Sequence, residues 1–310
     1  MELSIKKKKK RGLLYEIKKD WQLYILLVPG ILFLFIFNYI PISGIVIAFQ
    51  DFNIFKGIID STWVGMDNFI RLFNSPDFMK IFQNTLVISV LKIVILFPLP
   101  IVLAVLLNEL KKLRFKKTIQ TVIYLPHFIS WVIVSGLFIS LLSINGGFIN
   151  SIIVKLGGNP IPFFMSKEYF RGVLIFTEGW KQVGWGTIVY LAAITGIDQE
   201  QFEVARIDGA NKLQQIIHIT IPSIAPTIIL MFILRLGSLL EAGTEQILVM
   251  YNPVVYEVAD VIGTYVYRVG LGTSDYSFST AVGLFNSVVS FVLILTGNKL
   301  AKKLFGSSIW

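Results

Sequence analysis

The sequence predicts an all-α membrane protein with six transmembrane helices. Three observations lead there. The chain of 310 residues is 55% hydrophobic and only 15% charged, with a mean hydropathy of +0.72, whereas soluble domains run near a quarter charged. Its apolar residues fall in long uncharged runs. Its basic residues gather in alternate gaps between those runs. Cysteine is absent, which excludes disulfides, thiol chemistry and thiolate-bound zinc.

A run of about 20 apolar residues crosses the hydrocarbon core as a helix. The first span, 22–49, lies in the uncharged stretch Trp21 to Phe49. It follows a basic head, Lys6 to Arg11, as a signal peptide would, but it is too long and no small-residue cleavage site closes it. A retained anchor is expected, entered through a short interfacial helix over Leu13–Trp21. The second span, 83–107, carries only Lys92. The third, 119–142, is uncharged and stops before Asn145-Gly146-Gly147. The fourth, 172–195, holds Glu178 and Lys181. The fifth, 224–247, holds Arg235, with Pro222 and Pro226 marking its start. The sixth, 278–298, is uncharged.

Orientation follows from the basic residues. The N-terminus, the loops after spans two and four, and the tail carry eighteen lysines and arginines against seven on the other side. The richer side is expected to be cytoplasmic, with both termini there. This divides the chain into a basic cytoplasmic segment, 1–20, and a transmembrane domain, 21–310. The net charge of +9 is then topological, facing anionic lipid, and gives no reason to expect nucleic acid.

Chemical motifs are few. No G-x-x-x-x-G-K-[ST] loop is present to cradle a nucleotide, and no serine sits in a nucleophile elbow. The two histidines, His127 and His218, are far apart without carboxylate clusters and read as helix-end residues. No enzyme is expected. Inside the spans each charge needs a cavity or a partner. Glu178 and Lys181, three apart, can pair on one helix face. With Trp180 and Trp185 they form either a sugar-facing surface or an interfacial aromatic belt with a local ion pair. Arg235 is expected at a subunit interface. Glu241 and Glu245 stand one turn apart towards the outer end. Asn286 begins a polar stripe with Ser287 and Ser290, explained equally by substrate or by helix packing.

The most polar segment between spans is the loop 196–222. Asp198 with Gln201, and Asn211 with Gln214, have capping-box spacing. Asp208-Gly209 is a turn signal, and Pro222 should stop the second helix. Two short helices at nearly a right angle are expected, with Ala205, Gly209 and Ala210 at a corner where another backbone can approach. An ordinary amphipathic connector would give the same pattern.

The run Glu203-Val-Ala-Arg-Ile-Asp-Gly-Ala210, followed by Ile219-Thr-Ile-Pro222, resembles the EAA motif of permease subunits in type I ABC importers. Glu203, Ala205, Asp208, Gly209, Ala210, Ile219 and Pro222 match it, while Val204 and Ile221 depart conservatively. Nearly the whole chain is similar to the oligosaccharide and polysaccharide (LplB-type) branch. Trp63-Val-Gly65, Pro98-Leu-Pro100, Leu107-Asn-Glu-Leu110, Gly184-Trp-Gly186, Tyr251-Asn-Pro253 and Ala281-Val-Gly-Leu-Phe-Asn286 all occur in order.

The resemblance implies a MetI-like fold in a bacterial plasma membrane. It implies a second permease subunit, two ATPase subunits that hold ATP-Mg while this chain binds no cofactor, and an extracellular solute-binding protein delivering an oligosaccharide. It makes Glu203, Ala205, Asp208, Gly209, Ala210 and Pro222 the ATPase-coupling residues. Glu178, Trp180, Lys181, Trp185, Glu241, Glu245 and Asn286 become the substrate-pathway candidates. A type I importer for a non-sugar solute and a non-transporting scaffold or receptor are the alternatives; the 14% aromatic content suits sugars better than ions.

Overall fold

The computed structural model describes residues 19–305; the whole of the basic head Lys6 to Arg11 and most of the interfacial helix expected over Leu13–Trp21 lie outside them. The first rod, α1 (Trp21–Phe49), is helical throughout. It passes Pro29, a wide turn at Phe35–Tyr39 and Pro41, and tightens to a 3-10 helix over its last seven residues. A two-stranded hairpin comes next, β1 (Gln50–Asp51) antiparallel to β2 (Thr62–Trp63). Asn68, on α2 (Asp67–Asn74), donates to the carbonyls of Ala48 and Gln50 at 3.0 and 3.1 Å and fixes the hairpin to the end of α1.

The long rod α3 (Pro76–Glu109) continues past Pro98, which starts its second half as a first-turn proline whose missing N–H costs little. Next come α4 (Leu113–Phe128) and α5 (Trp131–Leu142), which meet at 104°. A short α6 (Phe148–Lys155) leads to α7 (Phe170–Thr195). Beyond it are α8 (Gln199–Ile207) and α9 (Lys212–Gly237). Three short helices, α10 (Thr244–Met250), α11 (Tyr256–Ala259) and α12 (Ile262–Gly272), precede the final α13 (Tyr276–Phe305).

Each expected span falls on a helical rod, with three corrections. Among the described residues four rods, α1, α3, α9 and α13, are long and apolar enough to cross a membrane, and the bent pair α4–α5 makes a fifth if taken as one span. The remaining rod, α7, which carries the expected fourth span, has 26 residues, about 39 Å at 1.5 Å per residue, but its polar residues keep it from reading as a span by composition. The third span is therefore broken where 119–142 was expected to be continuous. The fifth span runs over 212–237, not 224–247. Pro222 does not stop a helix. The wide turn Ile216–Thr220 precedes it, the Ile221 N–H reaches back to the Ile216 carbonyl, and the proline sits in the first turn of the regular helix Ile221–Gly237. The cap at Asp198 also differs, its carboxylate accepting from the Glu200 N–H at 3.0 Å, while Asn211 and Gln214 form the full reciprocal box.

Packing is organised around α7, which lies along the second half of α3 and touches α4, α9 and α10. Two apolar clusters share α7. One gathers Ile88, Val134, Phe138, Phe170, Leu174 and Ile247. The other gathers Ala104, Leu107, Tyr190, Leu191, Ile194 and Ile224. A third, around Leu72, Phe78, Ile262 and Phe278, joins α2, α3, α12 and α13. On α7 the stretch from Glu178 to Trp185 lies between the first two clusters, and on α3 so does Lys92. A polar layer thus separates two greasy ones. At Gly184 a Cβ would stand 1.9 Å from the Ile123 carbonyl oxygen, so α7 and α4 meet backbone to backbone there.

Candidate functional site

The polar layer is an ion triad braced by neutral hydrogen bonds. Glu178 on α7 faces Lys92 on α3 and Arg235 on α9, the Arg235 Nη2 lying 2.7 Å from Oε1. Lys92 also donates to the Ala242 carbonyl at 2.8 Å and to Gln246 Oε1 at 2.7 Å. Gln246 in turn donates to the Leu174 carbonyl and the Thr177 hydroxyl, both at 2.7 Å. The Ala242 carbonyl can reach Lys92 because the chain reverses through two left-handed residues, Ala242 at φ 51° and Gly243 at φ 78°. The two buried charges, Lys92 and Glu178, are thereby held with partners in place, as such burial requires, and Arg235 reaches Glu178 from the cavity side.

The expected Glu178–Lys181 pair does not form. The i, i+3 rule describes neighbours on a bare helix surface, whereas here each side chain finds a stronger partner on another element. Lys181 donates to the carbonyls of His127 and Ile129, both at 2.6 Å, and lies 5.5 Å from the centre of the Trp131 ring. Those carbonyls are freed where α4 ends and α5 begins, so the ammonium caps the break in span three. His127 is more than a helix-end residue. Its ring stacks on Trp185 at 4.3 Å and 2°, with Nδ1 2.8 Å from Gln182 Oε1.

A cavity of about 370 Å³ opens beside the triad, lined by Ser89, Lys92, Glu178, Trp185, Arg235 and Glu241 among others. Of the pathway candidates, the structure brings Glu178, Trp185 and Glu241 to this cavity. Trp180 turns elsewhere: it packs edge-on against Phe138 and lines a separate apolar groove of about 650 Å³. Lys181 caps the helix break. Glu245 is exposed at the start of α10, on a different element from Glu241, and Asn286 on α13 buries its carbonyl oxygen without a hydrogen-bond partner. Arg235, expected at a subunit interface, is tied to Glu178 by its Nη2. Lys92, Gln246 and His127 were not among the expected pathway residues. The available signal was that Lys92, Glu178 and Arg235 each interrupt a different apolar run, which calls for partners between helices.

The second site is the corner between α8 and α9. Gly209 at φ 81° lets the Ala210 N–H return to the Ala205 carbonyl at 2.8 Å and closes α8. A cleft of about 300 Å³ there is lined by Ala205, Asp208, Gly209, Ala210, Gln214 and His218. Glu203 is exposed one turn back, and Ile207 is 85% exposed at the tip. Pro222 lies outside the corner, inside α9. The second helix of the expected pair is thus the leading end of a membrane rod. Lys212 pairs with Glu109 at 2.8 Å, joining that end to the end of α3.

Contacts sort the loops into two groups at opposite ends of the bundle. At one end sit the α8–α9 corner and the end of α3. At the other, Arg71 pairs with Asp275 at 2.7 Å, Asn84 donates to the Glu257 and Asp260 carbonyls, and Arg268 pairs with Asp260.

A many-helix membrane bundle with a charged, aromatic-lined cavity across its middle and a projecting helical corner at one end is a transport subunit. The chain belongs to the family of binding-protein-dependent transport system inner membrane components, whose pattern its residues 96–305 match. It is 46% identical over 298 residues, 96% of this chain and 93% of the other, to the polygalacturonan/rhamnogalacturonan transport system permease protein YteP of Bacillus subtilis. It is 45% identical over 287 residues, 93% of this chain and 90% of the other, to protein LplB of the same organism. Its fold matches a chain of the crystal structure of a bacterial ABC transporter that imports the acidic polysaccharide alginate. That match has a TM-score of 0.87 and 41% identity, covering 94% of this chain and 99% of that one. A second structure of an alginate transporter, in complex with a pentasaccharide-bound periplasmic protein, matches with the same score over 96% of this chain. The protein is therefore a permease subunit of an ABC importer and an inner-membrane component, and ATP hydrolysis belongs to a separate subunit of such importers.

Proposed function

We propose that this subunit forms half of an import pathway for an acidic oligosaccharide, with the cavity beside Glu178 as a station on that pathway. The observation that carries the reading is the cavity itself. It offers cationic, carboxylate and hydroxyl side chains next to an indole face, the mix that a sugar's hydroxyls and apolar ring face require. Uronic acids are favoured because the named cargoes of the similar proteins are polygalacturonan, rhamnogalacturonan and alginate. The complex would comprise this chain, a second permease, two ATPases holding ATP-Mg, and a solute-binding protein outside; this chain itself would bind no cofactor.

Coupling is assigned to the corner formed by Glu203, Ala205, Asp208, Gly209 and Ala210, with Ile207 at its tip. Pro222 contributes indirectly, by allowing the rod to start at Lys212. A push on the corner is transmitted directly into a membrane helix because no loop separates them. Residues 1–20 are assigned to the cytoplasm and 21–310 to one transmembrane domain. The excess of lysine and arginine at the ends and in the loops after spans two and four supports a cytoplasmic assignment for both termini and the corner.

Reconstitution into proteoliposomes with the partner permease, the ATPases and the binding protein tests this reading. ATP-dependent uptake of a labelled galacturonate trisaccharide is expected, and a complex that hydrolyses ATP without carrying any acidic sugar would refute it. Orientation is tested by single cysteines in this cysteine-free chain. An impermeant reagent on intact cells should label Asn53→Cys and Gly157→Cys but not Asn211→Cys.

A further inference from the structure

We infer that Arg235 is the carboxylate receptor of the cavity, and that it engages a sugar acid by letting go of Glu178. The inference rests on the acidic-oligosaccharide reading and adds how charge selects the cargo.

The triad is asymmetric. The Lys92 side chain is 1% exposed, that of Glu178 9%, and that of Arg235 42%. An ammonium has three N–H donors, and Lys92 places them on Ala242, Gln246 and Glu178. It has nothing left to offer a ligand and no room to move, since a Cβ on Gly243 would already stand 2.5 Å from its Nζ. A guanidinium has five donors, and Arg235 commits one, from Nη2 to Glu178. Its remaining donors make no hydrogen bond within the described residues. They belong to a half-exposed group on the cavity wall.

The balance of charge points the same way. One carboxylate, Glu178, stands between two cations. If Arg235 leaves, Glu178 is still neutralised by Lys92, so no buried charge is stranded, which is the expensive outcome. Arg235 then carries an uncompensated positive charge and a planar fork that matches a carboxylate bidentately. The exchange replaces one ionic hydrogen bond with two. A neutral sugar offers only hydroxyls, which bring no negative charge to replace that of Glu178, so it cannot draw Arg235 away. Glu241, exposed on the rim and making no ion pair with the described residues, is left to accept ring hydroxyls.

The experiment compares wild type, Arg235→Gln and Arg235→Lys in the complete transporter. Each is given trigalacturonate or galactotriose at concentrations that saturate the binding protein. The expected result is an uptake of trigalacturonate at least tenfold lower in Arg235→Gln, partly recovered in Arg235→Lys, with galactotriose uptake lowered far less than that of trigalacturonate. Equal loss of both sugars would mark Arg235 as a structural residue and overturn the inference, as would undiminished uptake of trigalacturonate by Arg235→Gln. If neither protein carries galactotriose, recovery in Arg235→Lys supports the inference and its absence overturns it. A wild-type transporter that carries no trigalacturonate would instead refute the acidic-oligosaccharide reading, and the inference with it.

Discussion

Removing the charge of Glu178 should destabilise the bundle more than removing Arg235. Glu178→Gln keeps the shape but leaves Lys92, 1% exposed, as a buried cation with two neutral acceptors and no counter-charge. Breaking a buried pair on one side typically costs about 3–5 kcal/mol. Arg235→Gln removes a side chain that is 42% exposed and leaves the Lys92–Glu178 pair whole; a partly solvated pair contributes only about 1 kcal/mol. At roughly 2 °C per kcal/mol for a chain of this size, the midpoint of thermal inactivation should fall by about 6–10 °C for Glu178→Gln and about 2 °C for Arg235→Gln. The double variant Lys92→Met/Glu178→Gln removes both buried charges together and should recover at least half of the Glu178→Gln loss, because well-packed neutral replacements of a buried pair are often tolerated. The assay is the half-inactivation temperature of the purified transporter in nanodiscs, tracked by loss of monodisperse complex. Additive losses in the double variant, or a Glu178→Gln complex as stable as wild type, would refute the idea that these charges neutralise one another.

Other outcomes depend on the same geometry. Gly209→Val must adopt φ 81°, a strain of about 1–2 kcal/mol; membrane expression should stay near normal while ATPase co-purification and uptake are lost, and a coupled, active Gly209→Val complex would count against the corner. Trp185→Ala should impair sugar uptake severalfold and Trp180→Ala should not, because only Trp185 faces the polar cavity; uptake measured at limiting sugar decides between them. Gly184→Ala puts a methyl into the Ile123 carbonyl and, through overpacking, should cost about 1–3 kcal/mol, read as a lower half-inactivation temperature. Glu257, hydrogen-bonded by Lys167 and Lys80, has its pKa pushed down to about 2. Any stability from this exposed cluster is therefore full above the ordinary carboxylate range and lost as pH falls towards 2. The difference in melting between wild type and Glu257→Gln should accordingly stay constant from pH 8 to pH 5 and shrink only in stronger acid.

The helical architecture was legible because uncharged runs and prolines act locally. So was the corner, where Asp208-Gly209 and the Asn211–Gln214 box determine a turn from adjacent residues. The polar layer was only half legible. Lys92, Glu178, Lys181 and Arg235 could each be seen as costly in a membrane, but sequence spacing proposes partners on the same helix, and the true partners come from α3, α9 and the broken α4–α5 connection. The break itself was hidden: Pro126 and Ser130 lie in an apolar run whose composition is that of a continuous span. It is Lys181, more than fifty residues later, that satisfies the carbonyls the break exposes. Pro222 misled for the opposite reason, since a wide turn just ahead of it lets the helix continue.

The triad also constrains how the chain can be made. Membrane proteins enter the bilayer in the order they are synthesised, and an unpaired charge in mid-span opposes insertion by about 2.5–3.5 kcal/mol. Lys92 arrives first, on the second span, with no counter-ion yet translated. Glu178 arrives on the fourth and can neutralise it before Arg235 exists. A nascent chain halted between the second and fourth spans therefore holds a bare ammonium, and one halted just after the fourth holds a matched pair. The acid that later sits between two bases is thus also the point at which a half-made permease becomes comfortable in lipid, and Arg235 is the late arrival that turns a neutral pair into a charged station.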